Sequence, residues 1–161
     1  MPSLRTLLLP TLVLTASLGC ASAGVSVRPD GTPGPEECSE KAQEAMRLLR
    51  IRVGDAAFVD LDVNQMDTSP ITVYDGPIES MLVDALGPLE SPTRLYGKVW
   101  TGGPQVVIRY YQAHPPDGDV IPICAVARLS RGQLKKQPGS KPGMAILEFS
   151  KAGVYIVNSF R

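Results

Sequence analysis

From Val59 to Asn64 apolar and polar residues alternate without exception, with Val59, Leu61 and Val63 on one side and Asp60, Asp62 and Asn64 on the other. Successive side chains of a strand point to opposite faces, so this run predicts a strand with one buried and one wet face. Ile71 to Tyr74 is a short strand ahead of the turn Asp75-Gly76-Pro77. Leu95 to Trp100 and Gln105 to Gln112 flank Thr101-Gly102-Gly103-Pro104, a hairpin signal. After a second turn, Pro115-Pro116-Asp117-Gly118, the segment Val120 to Arg128 carries Ile121, Ile123, Cys124, Ala125 and Val126, a density that predicts burial on both faces. A loop from Ser130 to Gly143 leads to Met144–Phe149 and Val154–Ser159, read as a last hairpin around Lys151-Ala152-Gly153.

Two segments have a helical period instead. Pro35 opens a helix with Glu36 and Glu37 in its first turn and Arg47 and Arg50 near its end, the order that the helix dipole favours. Cys38, Ala42, Ala45, Met46 and Leu49 form its apolar stripe and aim Cys38 at the core, where Cys124 can meet it. Ile78 to Leu86 fits both periods; the spacing of Ile78, Met81, Leu82, Ala85 and Leu86 favours a helix. Six or seven short strands, one N-terminal helix, and fifteen Pro and fifteen Gly as punctuation predict a mainly β (α+β) domain. Its expected form is a small β-barrel or β-sandwich with the helix packed against it.

The N-terminus says where such a domain works. Arg5 is the only charge before Cys20, and Leu7 to Leu18 is apolar or small, the length of a secretory signal and too short to span a bilayer. Ser17-Leu18-Gly19-Cys20 resembles the lipobox of bacterial lipoproteins, in which the cysteine thiol takes a diacylglycerol and becomes the mature N-terminus. Ser17 stands where that motif usually has leucine. The resemblance implies a signal peptide over residues 1–19, a lipid on Cys20, a flexible tether over 20–34 and one β-rich domain over 35–161. Ala21-Ser22-Ala23 is a competing site for ordinary signal peptidase, and cleavage after Ala23 would release a soluble, secreted protein.

There are three cysteines, and an odd one in an oxidising compartment calls for an explanation. With Cys20 acylated, Cys38 and Cys124 remain as a pair. A bridge between them closes a loop of roughly 87 residues, which chain entropy values at roughly 4–5 kcal/mol. Two buried free thiols are the other reading of the same residues.

Composition and motifs narrow the chemistry. The 16 basic and 16 acidic residues balance, and Arg5 leaves with the signal, which argues against a nucleic-acid protein. There is no phosphate-binding glycine loop, no Gly-x-Ser-x-Gly elbow and no metal-ligand spacing, so neither a catalytic motif, a cofactor nor a metal is expected. Asp60-Leu61-Asp62-Val63-Asn64 opens like a calcium loop, but Gln65 and Ile71 stand where its glycine and closing glutamate belong. His114, the only histidine, would have to carry the alternative reading of a secreted hydrolase. Arg128, Arg131, Lys135, Lys136 and Lys141 form a basic stretch fit for anionic headgroups or an acidic partner. Trp100, with Tyr96, Tyr110 and Tyr111, would suit a glycan-binding platform. The expected role is therefore binding or assembly at the cell envelope, with the membrane, an envelope protein or a glycan as partner.

A second resemblance lies in the central hairpins. Pro77-Ile78, Thr93-Arg94-Leu95-Tyr96-Gly97-Lys98-Val99, Gln105-Val106-Val107-Ile108-Arg109 and Pro116-Asp117-Gly118-Asp119-Val120-Ile121 resemble the barrel of the outer-membrane channel component of type IV secretion and conjugation machines. The resemblance implies a barrel and a trans-envelope setting. This chain lacks that family's long antenna insertion and larger N-terminal region, so channel formation is not implied.

Overall fold

The computed structural model describes residues 24–130 and 132–161. The signal segment, Cys20, both cleavage sites and Arg131 lie outside the described residues. The elements in chain order are β1 (Glu36–Glu37), α1 (Glu40–Leu48), β2 (Ala56–Asp60), β3 (Ile71–Tyr74), β4 (Gly76–Leu82), β5 (Arg94–Trp100), β6 (Gln105–His114), β7 (Ile121–Arg128), β8 (Leu134–Lys135), β9 (Met144–Leu147), β10 (Lys151–Ile156) and β11 (Ser159–Phe160). Six of the strands close into an antiparallel barrel in the order β5-β4-β2-β10-β7-β6, with β6 returning to β5. β8 extends the sheet along the first residues of β6. The described residues form a small barrel with one helix, one of the two architectures that the pattern of short strands predicts.

The barrel interior is packed with side chains. Ile78, Gly97, Tyr110, Ala125 and Ile156 lie in register around it, so the largest inward residue faces the smallest. Burial pushes the Tyr110 hydroxyl well above its ordinary titration range, against an opposing effect of the hydrogen bond it shares with Ser80. That contact is 2.7 Å, and Ser80 Oγ donates in turn to the Leu61 carbonyl, so every polar atom of this buried thread has a partner.

Several elements depart from the pattern. Residues 78–82 are strand, not helix, with Ile78, Ser80 and Leu82 inward and Met81 outward. The buried Ser80 broke the apolar alternation there, and only its partners across the barrel make it acceptable inside. The helix begins at Glu40, because Ser39 caps it by accepting the Ala42 amide at 3.1 Å. Glu36 and Glu37 belong to β1, which pairs with β11; Cys38 precedes the cap, and Ala42 and Met46 are the helix's buried residues. Residues 144–156 do not form a hairpin: β9 pairs with β3, while β10 pairs with β2 and β7. Asp60 is 5% exposed rather than wet, and Lys151 Nζ reaches its Oδ1 at 3.3 Å across the sheet. The stretch assigned to a free tether is packed at its end, where Pro33 and Gly34 are buried.

The ribbon of β3 and β9 has both edges blocked. Gln65 Nε2 donates to the Thr72 carbonyl at 2.7 Å while its Oε1 accepts the Thr72 amide at 3.0 Å, as a neighbouring strand would. On the β9 side, the Gln137 amide and Ser140 Oγ occupy the outward groups of Ile146. Gln65→Ala leaves both Thr72 groups without a protein partner, and is expected to cost about 1–2 kcal/mol with faster hydrogen exchange at Thr72. An unchanged urea midpoint together with an unchanged exchange rate would refute this.

Candidate functional site

The staple and the anchoring arm come together on one wall of the barrel. Cys38 and Cys124 are disulfide-bonded, with Cα atoms 6.0 Å apart and a sequence separation of 86. Cys124 is an outward residue of β7, so the bond holds the start of α1 against the outside of the barrel. Preceding it, residues 26–34 form a hook: the Gly34 amide donates to the Ser26 carbonyl at 2.6 Å and the Arg28 amide to the Thr32 carbonyl at 2.8 Å. Gly31, at φ +82°, lies so close to Gly102 that a β-carbon on it would fall 2.7 Å from the Gly102 Cα. The Gly102-Gly103 pair therefore does more than turn a hairpin. It is the seat of the hook, with the Thr32 methyl occupying the space a Gly103 side chain would need.

Arg109 fastens this assembly. It stands on the outward face of β6 yet is only 1% exposed, its guanidinium lying between the rings of Trp100 (5.4 Å) and Phe160 (5.0 Å). Nη2 donates to the Gly34 carbonyl at 2.8 Å and Nη1 to Glu36 Oε2 at 3.2 Å, while the Tyr111 hydroxyl donates to the same oxygen at 2.9 Å. Burial raises the Tyr111 hydroxyl well above its ordinary range, and Glu36 adds to the shift. An arginine at alternate spacing in a strand reads as a solvent-facing residue, so nothing in the sequence marked Arg109.

This arrangement corrects the proposed glycan platform. Trp100 is 5% exposed and lies under Arg109 and Lys98, Tyr110 is inside the barrel, and Tyr111 is half-buried in the clasp. The described residues of the basic stretch have different local settings. Arg128 ends β7 with its Nε buried, Lys135 is exposed on β8, Lys136 follows half-buried, and Lys141 sits in the turn before β9. The calcium-like run does not converge either: Asp60 faces Lys151, and Asp62 Oδ1 accepts the Asn64 amide in a local turn.

His114 closes a polar array on the outer faces of β4, β5 and β6. Its ring packs against Tyr96 at a tilt of 43° with centroids 4.2 Å apart, and its Nε2 lies 3.1 Å from Gln112 Oε1. Tyr96 donates to Glu79 Oε1 at 2.8 Å, and Arg94 donates to the same oxygen. Burial alone would raise the Glu79 carboxyl; the Tyr96 hydroxyl and the Arg94 guanidinium outweigh it and hold the group below its ordinary range. The depression beside His114 is about 390 Å³ and is lined by Met81, Pro92, Arg94, Tyr96 and Pro115–Pro116, with no serine, threonine or cysteine. Across the Pro92, Pro115 and Pro116 ridge opens a larger groove of about 480 Å³. Its walls are mainly Leu49, Pro88, Leu89 and Ile121, and Glu90 and Asp117 are charged residues in its lining. A concave, largely apolar surface with a few polar groups at its rim has the character of a binding site.

No family model, curated protein or solved structure matches this chain. The fold and its surfaces are therefore what the functional reading rests on.

Proposed function

We propose that this protein is an exported, lipid-anchored cell-envelope protein whose barrel serves as a non-catalytic binding or assembly module. The observation that carries the reading is the Cys38–Cys124 disulfide, which engages two of the three cysteines and leaves Cys20, where the lipobox-like segment ends. A disulfide suits an oxidising compartment, and Cys20 is then the single thiol available for a lipid. The proline-walled groove formed by the loops after β4 and β6 supports the binding role. It lies at the end of the barrel opposite the Gly102-Gly103 hairpin tip on which the arm hooks.

The intact mass of the mature protein from its native cells, with and without reduction and alkylation, tests this. The expected species begins at acylated Cys20 and takes up two alkyl groups only after reduction. A lipid-free chain beginning at Gly24 would overturn the anchor and bring the secreted alternatives forward.

A further inference from the structure

The arm is not a free tether, and this sets which way the barrel faces. On the proposed reading Cys20 carries the lipid, and Ser26 is already hydrogen-bonded to Gly34 against the barrel wall. Ser26 is six positions after Cys20, so the lipidated cysteine lies within roughly 22 Å of Ser26 even with the chain fully extended. The wall that holds the hook is built on β6, and in the six-strand ring the strand diametrically opposite is β2.

The charges on that wall match the orientation. Arg28 and Arg161 line one depression of about 230 Å³ beside the hairpin tip, together with Asp30. Lys98 lies on β5 beside the clasp, and Lys135 pairs with Gln105 at the start of β6. All four cations are exposed, and among the described residues none of them forms an ion pair. The carboxylates near them are Asp30 beside Arg28, Glu37 exposed on β1, Asp75 where it accepts the Thr101 amide at the hairpin tip, and Glu36, whose charge Arg109 offsets.

We infer that the arm-bearing wall rests against the bilayer that holds the lipid, with Arg28, Lys98, Lys135 and Arg161 facing its anionic headgroups. The two acyl chains of the diacylglycerol anchor the chain, and a cationic surface held within a Debye length of the membrane adds an attraction that orients it. This inference rests on the lipid-anchored reading and adds to it an orientation and a lipid class. The opposite wall, with Phe58 exposed on β2, then faces away from the membrane.

Trp100 is the only tryptophan and lies in the clasp, so it reports this contact without labelling. The acylated protein, its lipid verified by mass, is reconstituted in phosphatidylcholine vesicles with and without phosphatidylglycerol, each carrying a nitroxide-headgroup lipid. Trp100 emission is expected to be quenched, more strongly with phosphatidylglycerol present. A tryptophan placed on the far wall by Phe58→Trp in a Trp100→Phe background is expected to escape quenching. Inserting a twenty-residue Gly-Ser segment between Gly24 and Val25, outside every described contact of the clasp, is expected to abolish Trp100 quenching. The combined Arg28→Gln, Lys98→Gln, Lys135→Gln and Arg161→Gln variant is expected to lose the extra quenching due to phosphatidylglycerol. Equal quenching of both tryptophans, indifference to the insertion, or indifference to the anionic lipid would each overturn the orientation while leaving the anchor intact. A lipid-free mass overturns the anchor itself, so the two failures are distinct.

Discussion

Replacing Gly97 with alanine is expected to destabilise the barrel by about 3 kcal/mol or more, a large share of the roughly 5–15 kcal/mol that holds a domain of this size together. Gly97 sits where the register between β5 and β6 shifts, beside Tyr110. A β-carbon there would run into the backbone carbonyl of Arg109 and come 3.0 Å from the Tyr110 Cα. These are main-chain atoms, so no rotamer change relieves the overlap; the two strands would have to part at the seam that closes the ring. Tyr110 would lose its place in the interior with them. Gly24→Ala is the control, since nothing lies within 4 Å of a β-carbon at that position. Urea unfolding followed by far-ultraviolet circular dichroism measures both, and a Gly97→Ala midpoint equal to that of Gly24→Ala would show that the strands can part at little cost.

The second large effect is expected at Arg109. Arg109→Met keeps much of the stem but removes the guanidinium from between Trp100 and Phe160, and leaves the buried Gly34 carbonyl and the Glu36 carboxylate without their cation. A hydrogen bond to a charged group contributes about 1.5–3 kcal/mol, and the lost ring contacts add about 0.5–2 kcal/mol. Glu36 is partly exposed and can be hydrated, which trims the total, so the expected loss is about 3 kcal/mol. The damage should be local as well as global. The barrel seam is untouched, whereas the hook over residues 26–34 loses its fastening, so its amides should exchange faster. If Arg109→Met unfolds at the wild-type urea concentration and the Gly34 amide stays protected, the hook is held by the Gly31–Gly102 contact alone.

These two residues show how differently the sequence speaks at different places. Arg94–Trp100, Gln105–His114 and Ile121–Arg128 were legible to within two residues, because a strand packed on one or both faces writes its burial into a local period and glycine or proline marks its ends. Residues 78–82 were misread because Ile78 and Leu82 satisfy a helical spacing as well as an alternating one. Choosing between them required knowing that Ser80 would meet Tyr110 and Leu61 from other strands. The last hairpin failed for a related reason: β9 and β10 are adjacent in sequence, but each had a better partner far along the chain.

The candidate surfaces divide in the same way. Counting cysteines pairs Cys38 with Cys124 once Cys20 is set aside, and they are bonded, although Cys38 precedes the helix whose apolar stripe was to aim it. Aromatic residues near a hairpin carry no mark of what covers them, which leaves Trp100 reading as a surface residue; Arg109 and Lys98 cover it. The described residues of the basic stretch fall on β7, on and after β8, and in the turn before β9, settings that a charge run does not write into the sequence.

By itself, then, the sequence determined the class of domain and most of its strands, since local periodicity and composition depend on neighbours a few residues away. Ring closure through Gly97, the burial of Arg109 and the docking of the N-terminal arm on Gly102 and Gly103 were decided by the tertiary structure alone. Each depends on atoms brought together from distant parts of the chain, where a glycine is needed for the absence of a side chain and an arginine is tolerated because two rings, a carboxylate and a carbonyl converge on it.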